Sequence, residues 1–562
     1  MNTLFIQPDS AARRAGGNEF PTGGVFTLFL FLLLAPAARA ESTGLTKGET
    51  EFLDYVGRPC PVIRLWPEGK VPDEPRPLPP ESVTTEGRGG GPVFMIRSVS
   101  DPSMVILSPP EEKNTGVALV LAPGGGYGGL GADLVKEVGE WLNRRGITCV
   151  LLKYRVPKRH QGYDMHFQPL QDAQRAMGIL RSRAVEFGID PEKIGFGGAS
   201  AGGNLAACLL MNHAERWYRP VDDLDKTRCR PDFGLLLYPA YLTDPIVSRN
   251  RVAKLGFDKI NARDTPPTLT TICFADKFTF GSAEIYLAMR RANVPAEFHV
   301  YPVGGHGGGV AQYPFGQWAD EFVRFLARQK FLREAPAAND AIPEAATGAK
   351  VHFDGGGAIL LRPSSAPNSK TVVVCPDPSE PSSHSRAVRF ATWLGTHGFT
   401  SLVIDPDETA AEIGIAMEAA LDFSNLKASE WGTNEVGLCG FGNAARPVAL
   451  AAAQAKRLRQ NTDPVTFIHR PAFAILVSPR GLSPDPDTGL TALRPTSPPI
   501  LILSSGNDPE IGQTADYYLK IEPTRVHAEC HVYEAPGALD MESASDWGTA
   551  TARWLNDLDA KD

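Results

Sequence analysis

Ser200 is the residue whose surroundings point most clearly to chemistry. It lies in Gly198-Ala-Ser-Ala-Gly202, where an apolar strand-like run ends and a helix-like run of small residues begins. Glycines on both sides carry no Cβ, so strand and helix approach closely while a strained turn pushes the serine Oγ outward. A serine held in this way is typical of a nucleophile in acyl transfer.

A nucleophilic serine needs a histidine as general base and an acid that orients the histidine. Asp276 follows the apolar run 269–274, and His306 lies in the glycine-rich segment 304–309 after the run 298–303. The order serine, acid, histidine is the one used with this type of turn. Because parallel strands end at one edge of a sheet, we predict that Ser200, Asp276 and His306 converge as a catalytic triad.

A glycine run at 124–129 follows another apolar strand-like segment. We predict that the backbone N–H of Gly124 or Gly125, with that of Ala201, forms an oxyanion hole. The alternative, a phosphate-binding loop, is weak because the run has neither the P-loop lysine nor dinucleotide-binding spacing. Tyr127, inside the run, is a candidate substrate contact.

Other polar residues favour structural roles. Asp172 and Arg175 lie on one helix and are predicted to anchor it. His299 recurs as His531 in a second copy of its segment, described below, and this also favours structure over catalysis. No spacing of histidine or cysteine suggests a metal site, and the predicted chemistry needs no cofactor.

Strand-like and helix-like segments alternate from residue 95 to residue 332. Val117 to Leu121 and Thr148 to Lys153 are continuous apolar runs, as expected for strands covered on both faces. Leu134 to Arg145 and Pro169 to Phe187 carry apolar residues at helical spacing. The alternation predicts a doubly wound α/β sheet.

The chain contains this pattern twice. Ala296-Glu-Phe-His-Val-Tyr301 recurs as Ala528-Glu-Cys-His-Val-Tyr533, with five of six residues identical at an offset of 232. Residues 334–349 lack periodicity and read as a linker. We therefore predict a catalytic domain at 41–333 and a second domain at 350–562.

The second copy lacks the chemistry of the first. Gly442 stands at the position of Ser200, Ala538 at that of His306, and Asp377-Pro-Ser at that of the glycine run, although Asp508 matches Asp276. Without a nucleophile and a base, the second domain is predicted to be inactive and to serve binding or structure.

The first 40 residues are predicted to be a secretory signal peptide. Arg13 and Arg14 precede the apolar run 25–34, and Ala38-Arg-Ala40 supplies a cleavage site. The run is shorter than a membrane span needs, so an uncleaved anchor is the weaker alternative. We expect a secreted or periplasmic protein with no stable membrane anchor.

Composition limits the other possibilities. Over 562 residues the net charge is −8, which argues against nucleic acid as a partner, and 43% hydrophobic residues indicate globular domains. Most of the eight cysteines lie in apolar runs and read as core thiols. Cys60 and Cys229 lie in polar loops, and whether they form a disulfide is left open.

Residues 95–312 resemble secreted bacterial α/β-hydrolases of the acetyl xylan esterase and feruloyl esterase kind, related to the hormone-sensitive lipase group. The matching stretches are Ala122–Leu130, Ser200–Ala206, Tyr238–Ala240 and Gly304–His306. The resemblance implies Asp276 as the triad acid. Together with the internal repeat, it predicts two tandem α/β-hydrolase-type doubly wound sheets, the second degenerate. Asn204 stands where relatives often carry histidine, and Ala275 where they often carry a second acid.

The resemblance also implies a substrate class, namely an acylated carbohydrate or a small ester. The expected enzyme is a serine esterase that removes short acyl groups, acetyl above all, from a plant polysaccharide such as xylan. Trp217, in a segment after the serine-bearing helix, is a candidate sugar contact, with a packed lid as its alternative. A prolyl oligopeptidase-like peptidase and a feruloyl esterase remain alternative functions, and the oligomeric state is open.

Overall fold

Continuous apolar runs form strands that are buried on both faces, as in Ala118–Ala122 and Thr148–Lys153. Both lie within one residue of their predicted positions. The computed structural model describes residues 44–73, 78–85, 93–157, 166–243, 257–302, 304–312, 315–333, 348–354, 356–363, 368–405, 413–453, 470–483, 489–506, 508–521, 524, 526–533 and 547–558.

The strands alternate with helices along the chain, as the sequence predicts. In chain order the strands are β1 (Val62–Arg64), β2 (Ser82–Thr84), β3 (Met95–Arg97), β4 (Ser103–Leu107), β5 (Ala118–Ala122), β6 (Leu130–Gly131), β7 (Thr148–Lys153), β8 (Ile194–Ala199), β9 (Gly234–Leu237), β10 (Thr268–Cys273), β11 (Ala296–Tyr301), β12 (Ala349–Phe353), β13 (Gly356–Leu361), β14 (Lys370–Cys375), β15 (Thr400–Asp405), β16 (Glu435–Phe441), β17 (Ala474–Val477), β18 (Ile500–Ser505) and β19 (Ala528–Tyr533).

The helices cover both faces of the sheet that these strands build. They are α1 (Lys47–Val56), α2 (Asp133–Arg144), α3 (Phe167–Ser182), α4 (Ala201–Met211), α5 (Thr279–Arg291), α6 (Trp318–Arg328), α7 (Ser383–Thr396), α8 (Ile413–Trp431), α9 (Ala445–Ala453), α10 (Ile511–Ile521) and α11 (Trp547–Asp557).

In the described part of the chain, sixteen strands join in one mixed sheet, in the order β1-β4-β7-β5-β8-β9-β10-β11-β19-β18-β17-β16-β14-β15-β13-β12. From the central strands β11 and β19 outward, the strands of the two halves follow the same order: β11 matches β19, β10 matches β18, and β8 matches β16. The second half of the chain therefore repeats the topology of the first, as the sequence repeat indicates.

The halves meet where β11 and β19 pair antiparallel. Phe298 lies opposite Val532, His299 opposite His531, and Val300 opposite Cys530. Equivalent residues of the two copies, His299 and His531, thus face each other at a local pseudo-two-fold axis. The sequence predicts two tandem sheets; the structure has the predicted α/β class, but one sheet runs through both halves.

Several predictions concern segments outside the described residues. These are the signal peptide at 1–40 and all but the last two residues of the linker at 334–349, so the domain boundaries stay predictions. Cys60 and Cys229 do not bond to each other, and all eight cysteines, each in a described segment, are free thiols. Over the described ranges, no helix combines the length and the apolar character that crossing a membrane requires.

Candidate active site

Ser200 occupies the sharp turn between β8 and α4. Its backbone has φ 56° and ψ −117°, a sparsely populated conformation for a residue with a side chain. A Cβ on Gly198 would lie 2.0 Å from the Gly202 carbonyl oxygen, and one on Gly202 would lie 2.0 Å from that of Ala122. Only glycine fits these two positions, which explains the glycines around the serine.

The three residues of the predicted triad lie in contact. Ser200 Oγ is 2.7 Å from His306 Nε2, and His306 Nδ1 is 2.7 Å from Asp276 Oδ2. The Nδ1 proton then lies on the side of the carboxylate, which leaves the Nε2 lone pair free to accept the serine proton. This arrangement can transfer a proton from serine to histidine when Ser200 Oγ attacks a carbonyl carbon.

Asp276 is fixed by the turn that follows β10. Its side chain is fully buried, and Oδ1 accepts a hydrogen bond from the backbone N–H of Phe278 at 3.0 Å. Thr279 Oγ1 donates to the Asp276 carbonyl oxygen at 2.6 Å. One carboxylate oxygen is thus held by the backbone while the other faces His306.

The glycine-rich loop that carries His306 is held on both sides. Tyr238 Oη donates to the Gly308 carbonyl oxygen at 3.1 Å, and Ala311 N–H donates to Glu137 Oε1 at 2.6 Å. Next to the imidazole, the ring of Phe278 lies 4.9 Å away between centroids. Sequence reasoning missed Phe278 and Glu137, because no motif links residues that only the fold brings to His306.

The predicted oxyanion-hole donors lie beside Ser200. A Cβ on Gly124 would be 3.0 Å from Ser200 Cβ, so this backbone passes directly against the serine. Within the described part of the chain, the backbone N–H groups of Gly124, Gly125 and Ala201 donate to no protein acceptor. Ala201 is also the first residue of α4, where the helix dipole favours negative charge.

Tyr127 is not exposed to a substrate. Its side chain is 1% exposed, and its hydroxyl donates to Asn204 Oδ1 at 2.8 Å. Asn204 Nδ2 in turn donates to the Tyr241 carbonyl oxygen at 3.1 Å. Tyr127 therefore supports the glycine run from beneath, and this contradicts its prediction as a substrate contact. Asn204, which stands in place of the relatives' histidine, links three segments behind the serine.

Trp217 lies on the surface beside the first turn of α3. Its ring packs against His166 and Phe167, with centroids 5.9 and 5.6 Å apart, and remains partly exposed. Among the described residues no contact joins it to Ser200, so its role as a substrate contact stays a prediction.

Asp172 and Arg175 bond within the protein. Asp172 accepts hydrogen bonds from Trp66 Nε1 at 2.8 Å and Arg155 Nε at 2.9 Å, and Arg175 pairs with Asp222. These contacts fit the predicted role of the two residues as a structural anchor.

The matching position in the second half is occupied differently. Gly442 has φ +55°, and a Cβ there would lie 1.9 Å from Asp377 Oδ2. The same carboxylate oxygen accepts the backbone N–H of Asn443, the counterpart of Ala201, at 3.0 Å. Burial raises the pKa of Asp377, but hydrogen bonds from Ser379 and Asn443 outweigh it and hold the pKa below its ordinary value. The Asp377 carboxylate thus accepts from the backbone N–H that corresponds to the predicted oxyanion-hole donor Ala201.

Among the described residues, neither half shows metal-binding geometry. Across the segments that the structure describes, no three histidine, cysteine, aspartate or glutamate side chains cluster in a way that could hold a metal ion.

Comparison with known proteins places this site in a family context. Residues 120–256, which include Ser200 but end before Asp276, match a family model described as alpha/beta hydrolase fold. An acetylxylan esterase of Xylanibacter ruminicola is 28% identical over 42% of this chain and 50% of its own length. Endo-1,4-beta-xylanase B of Butyrivibrio fibrisolvens is 24% identical over 35% of this chain and 33% of its own. The chain thus spans half or less of the length of these curated relatives.

Solved structures are similar to part of the chain. An acetyl ester-xyloside bifunctional hydrolase from Caldicellulosiruptor lactoaceticus has a TM-score of 0.38 and 25% identity, over 48% of this chain and 97% of its own. A propionate-bound esterase of Thermogutta terrifontis has a TM-score of 0.37 and 25% identity, over 42% of this chain and 94% of its own. The matched family stretch begins within β5 and contains β8 and the turn at Ser200, so this part of the chain has the alpha/beta hydrolase fold.

Proposed function

We propose that this protein is a serine esterase that removes short acyl groups, acetyl above all, from a plant polysaccharide such as xylan. The observation that carries the proposal is the chain of two 2.7 Å contacts from Ser200 through His306 to Asp276. The similarity to an acetylxylan esterase over 42% of the chain supports the substrate class.

The proposed reaction has two steps. Ser200 Oγ attacks the ester carbonyl carbon while its proton passes to His306 Nε2, and the N–H groups of Gly124 or Gly125 and of Ala201 bind the resulting oxyanion. When the C–O bond to the sugar breaks, His306 returns that proton to the sugar oxygen. Water then attacks the acyl-enzyme by the same route and releases the acid. No step calls for a metal or cofactor.

An ester panel tests this proposal against its alternatives. We expect the full chain to cleave a nitrophenyl acetate and acetylated xylan, with shorter acyl chains cleaved faster, and to leave a Gly-Pro amide intact. Cleavage of the amide without either ester would favour a prolyl oligopeptidase-like peptidase instead. Preference for a feruloylated substrate over the acetylated one would favour a feruloyl esterase.

We also propose that the protein is exported, on the basis of the sequence of its first 40 residues. The extracellular or periplasmic fraction should then contain a chain that begins at Glu41, as amino-terminal sequencing would show. A chain that retains residues 1–40 in the membrane fraction would instead favour the uncleaved anchor.

A further inference from the structure

An open groove of about 960 Å³ lies apart from the triad, and none of its lining residues belongs to the catalytic machinery. One wall is the segment 70–73, including Lys70 and Asp73. The other wall is the segment 216–221, including Trp217 and Arg219. The groove combines an aromatic face with charged side chains of both signs.

The aromatic wall is held in place by the protein. The backbone N–H of Trp217 donates to Gln174 Oε1 at 2.8 Å, and the Trp217 carbonyl oxygen accepts from Gln171 Nε2 at 2.8 Å. With its ring also resting on Phe167, the indole loses little further freedom when a ligand binds. A rigid, partly exposed indole suits the apolar face of a sugar ring.

The polar wall offers donors and an acceptor. In the described segments, the Lys70 ammonium and the Arg219 guanidinium form no hydrogen bond or close ion pair, and both residues are exposed. Lys70 interacts with Asp222 through longer-range charge attraction. Asp73 Oδ2 accepts from Gln171 Nε2 at 2.7 Å and retains further lone pairs. Sugar hydroxyl groups both donate and accept, so a mixed set of cations and a carboxylate matches them better than it matches a purely anionic ligand.

The groove lies toward the same edge of the sheet as Ser200. Arg155 follows the carboxyl end of β7 and donates from Nη1 to the Pro72 carbonyl oxygen at 2.5 Å, which ties the segment 70–73 to that edge. In the sheet, β7 is separated from β8 by β5 alone. The ends of β7 and β8 are thus about 10 Å apart at ordinary strand spacing.

We infer that this groove is a remote subsite for a neutral sugar unit of the polysaccharide whose ester is cleaved at Ser200. Trp217 stacks on the ring, and Lys70, Asp73 and Arg219 bond its hydroxyl groups. The inference rests on the proposed function for its substrate class. It adds a second point of attachment, which a small ester cannot reach.

Kinetics on two substrates test the subsite. In the full chain, Trp217→Ala should raise KM for acetylated xylan by about tenfold and leave kcat and KM for nitrophenyl acetate unchanged. Trp217→Phe should restore part of the loss, and Arg219→Gln should raise KM for the polymer by about threefold. The matched control is Trp141→Ala, on α2, whose indole stacks on Arg145 outside the groove. This variant should behave like the unchanged chain on both substrates.

Binding without turnover separates the two proposals. A Ser200→Ala chain should bind an unacetylated xylo-oligosaccharide in calorimetry, and adding Trp217→Ala should weaken that binding by about tenfold. A Trp217→Ala chain with unchanged KM for the polymer, or equal losses on both substrates, would overturn the subsite. If the unchanged chain cleaves neither ester, the proposed function fails, and calorimetry still decides whether the groove binds sugar.

Discussion

Ser200 is the residue at which backbone strain and proposed chemistry coincide. Its φ of 56° holds Oγ at the tip of the turn, where His306 lies on one side and the backbone of Gly124 on the other. The fold keeps this strained conformation because β8 and α4 are buried along their whole length. The strained turn therefore fixes the position of Ser200 Oγ.

Replacing the nucleophile or the acid that orients His306 should lower activity far more than replacing a structural residue. We expect Ser200→Ala to reduce kcat on nitrophenyl acetate by about a million-fold. Asp276→Asn should reduce it by about ten thousand-fold, because the amide favours the wrong tautomer of His306. Ser182→Ala is the matched control, since that hydroxyl donates to the Ile179 carbonyl oxygen at the end of α3. Full activity in Ser200→Ala would contradict the assignment of the nucleophile.

The counterpart position in the second half gives a prediction about stability. Gly442→Ala should destabilise the protein by about 2–3 kcal/mol, because the new Cβ would meet the Asp377 carboxylate at 1.9 Å and φ is +55°. Chemical denaturation monitored by fluorescence would measure the change.

Two further variants interpret that result. Adding Asp377→Gly should recover part of the loss, since the steric conflict then disappears while the positive φ remains. Gly512→Ala, where a Cβ would meet nothing within 4 Å, should be neutral or slightly stabilising. A Gly442→Ala chain as stable as the original would show that Asp377 does not fill this space.

Among the elements, the β11–β19 pair carries an unusual set of buried charges. His299 Nδ1 lies 2.9 Å from His531 Nδ1, while their Nε2 atoms face Glu297 at 3.3 Å and Glu529 at 2.6 Å. Each glutamate is also paired with an arginine from a neighbouring helix, Arg328 on α6 and Arg553 on α11. Glu321 on α6 adds a further buried carboxylate. We call this β11–β19 contact, with the side chains beside it, the seam between the halves. It depends on two imidazoles that together carry no positive charge or only one.

Acidification should weaken this seam. Burial lowers the pKa of His531 to about 4 and lowers that of His299 as well. An unfolded histidine titrates near 6.5, so below that pH the unfolded chain binds protons that the seam excludes. The free energy of unfolding is therefore highest above about pH 6.5. It decreases as the pH falls towards 4, by up to about 3 kcal/mol for His531.

Urea denaturation at several pH values would measure this loss. Replacing both His299 and His531 with glutamine should flatten the dependence between pH 6.5 and 4. His352→Gln, on the exposed strand β12, should leave the dependence in place. A profile that is equally steep in the double variant would exclude the seam as its source.

Much of the local structure could be predicted from the sequence because it depends on local pattern. The run Thr148–Lys153 forms the predicted strand, and the turn at Ser200 follows from its glycines. Tyr127 could not be predicted, because its burial depends on the distant Asn204. Nor could the joining of the two sheets: the repeat of His299 as His531 shows that the strands are equivalent, but not that they pair.

At the scale of the whole molecule, the second half completes the first. Without β19, the edge of β11 would expose unpaired backbone groups and the apolar residues Phe298 and Val300, which are now buried. The contact extends to the helices, where Phe274 packs on Tyr518 of α10 with centroids 5.8 Å apart, and Arg290 donates to the Gly506 carbonyl oxygen. The second half therefore covers an edge that would otherwise invite association.

Truncation and nicking should consequently have different effects. A chain that ends after residue 333 retains Ser200, Asp276 and His306 but exposes β11, so it should aggregate or self-associate in size-exclusion chromatography. A full-length chain with a protease site placed within residues 334–347 of the predicted linker loses only the covalent connection when it is cut. Its two pieces should co-elute and retain esterase activity, since the β11–β19 pairing and the buried charges remain. A truncated chain that is monomeric, and as stable and active as the full chain, would mean that the second half does not support the first.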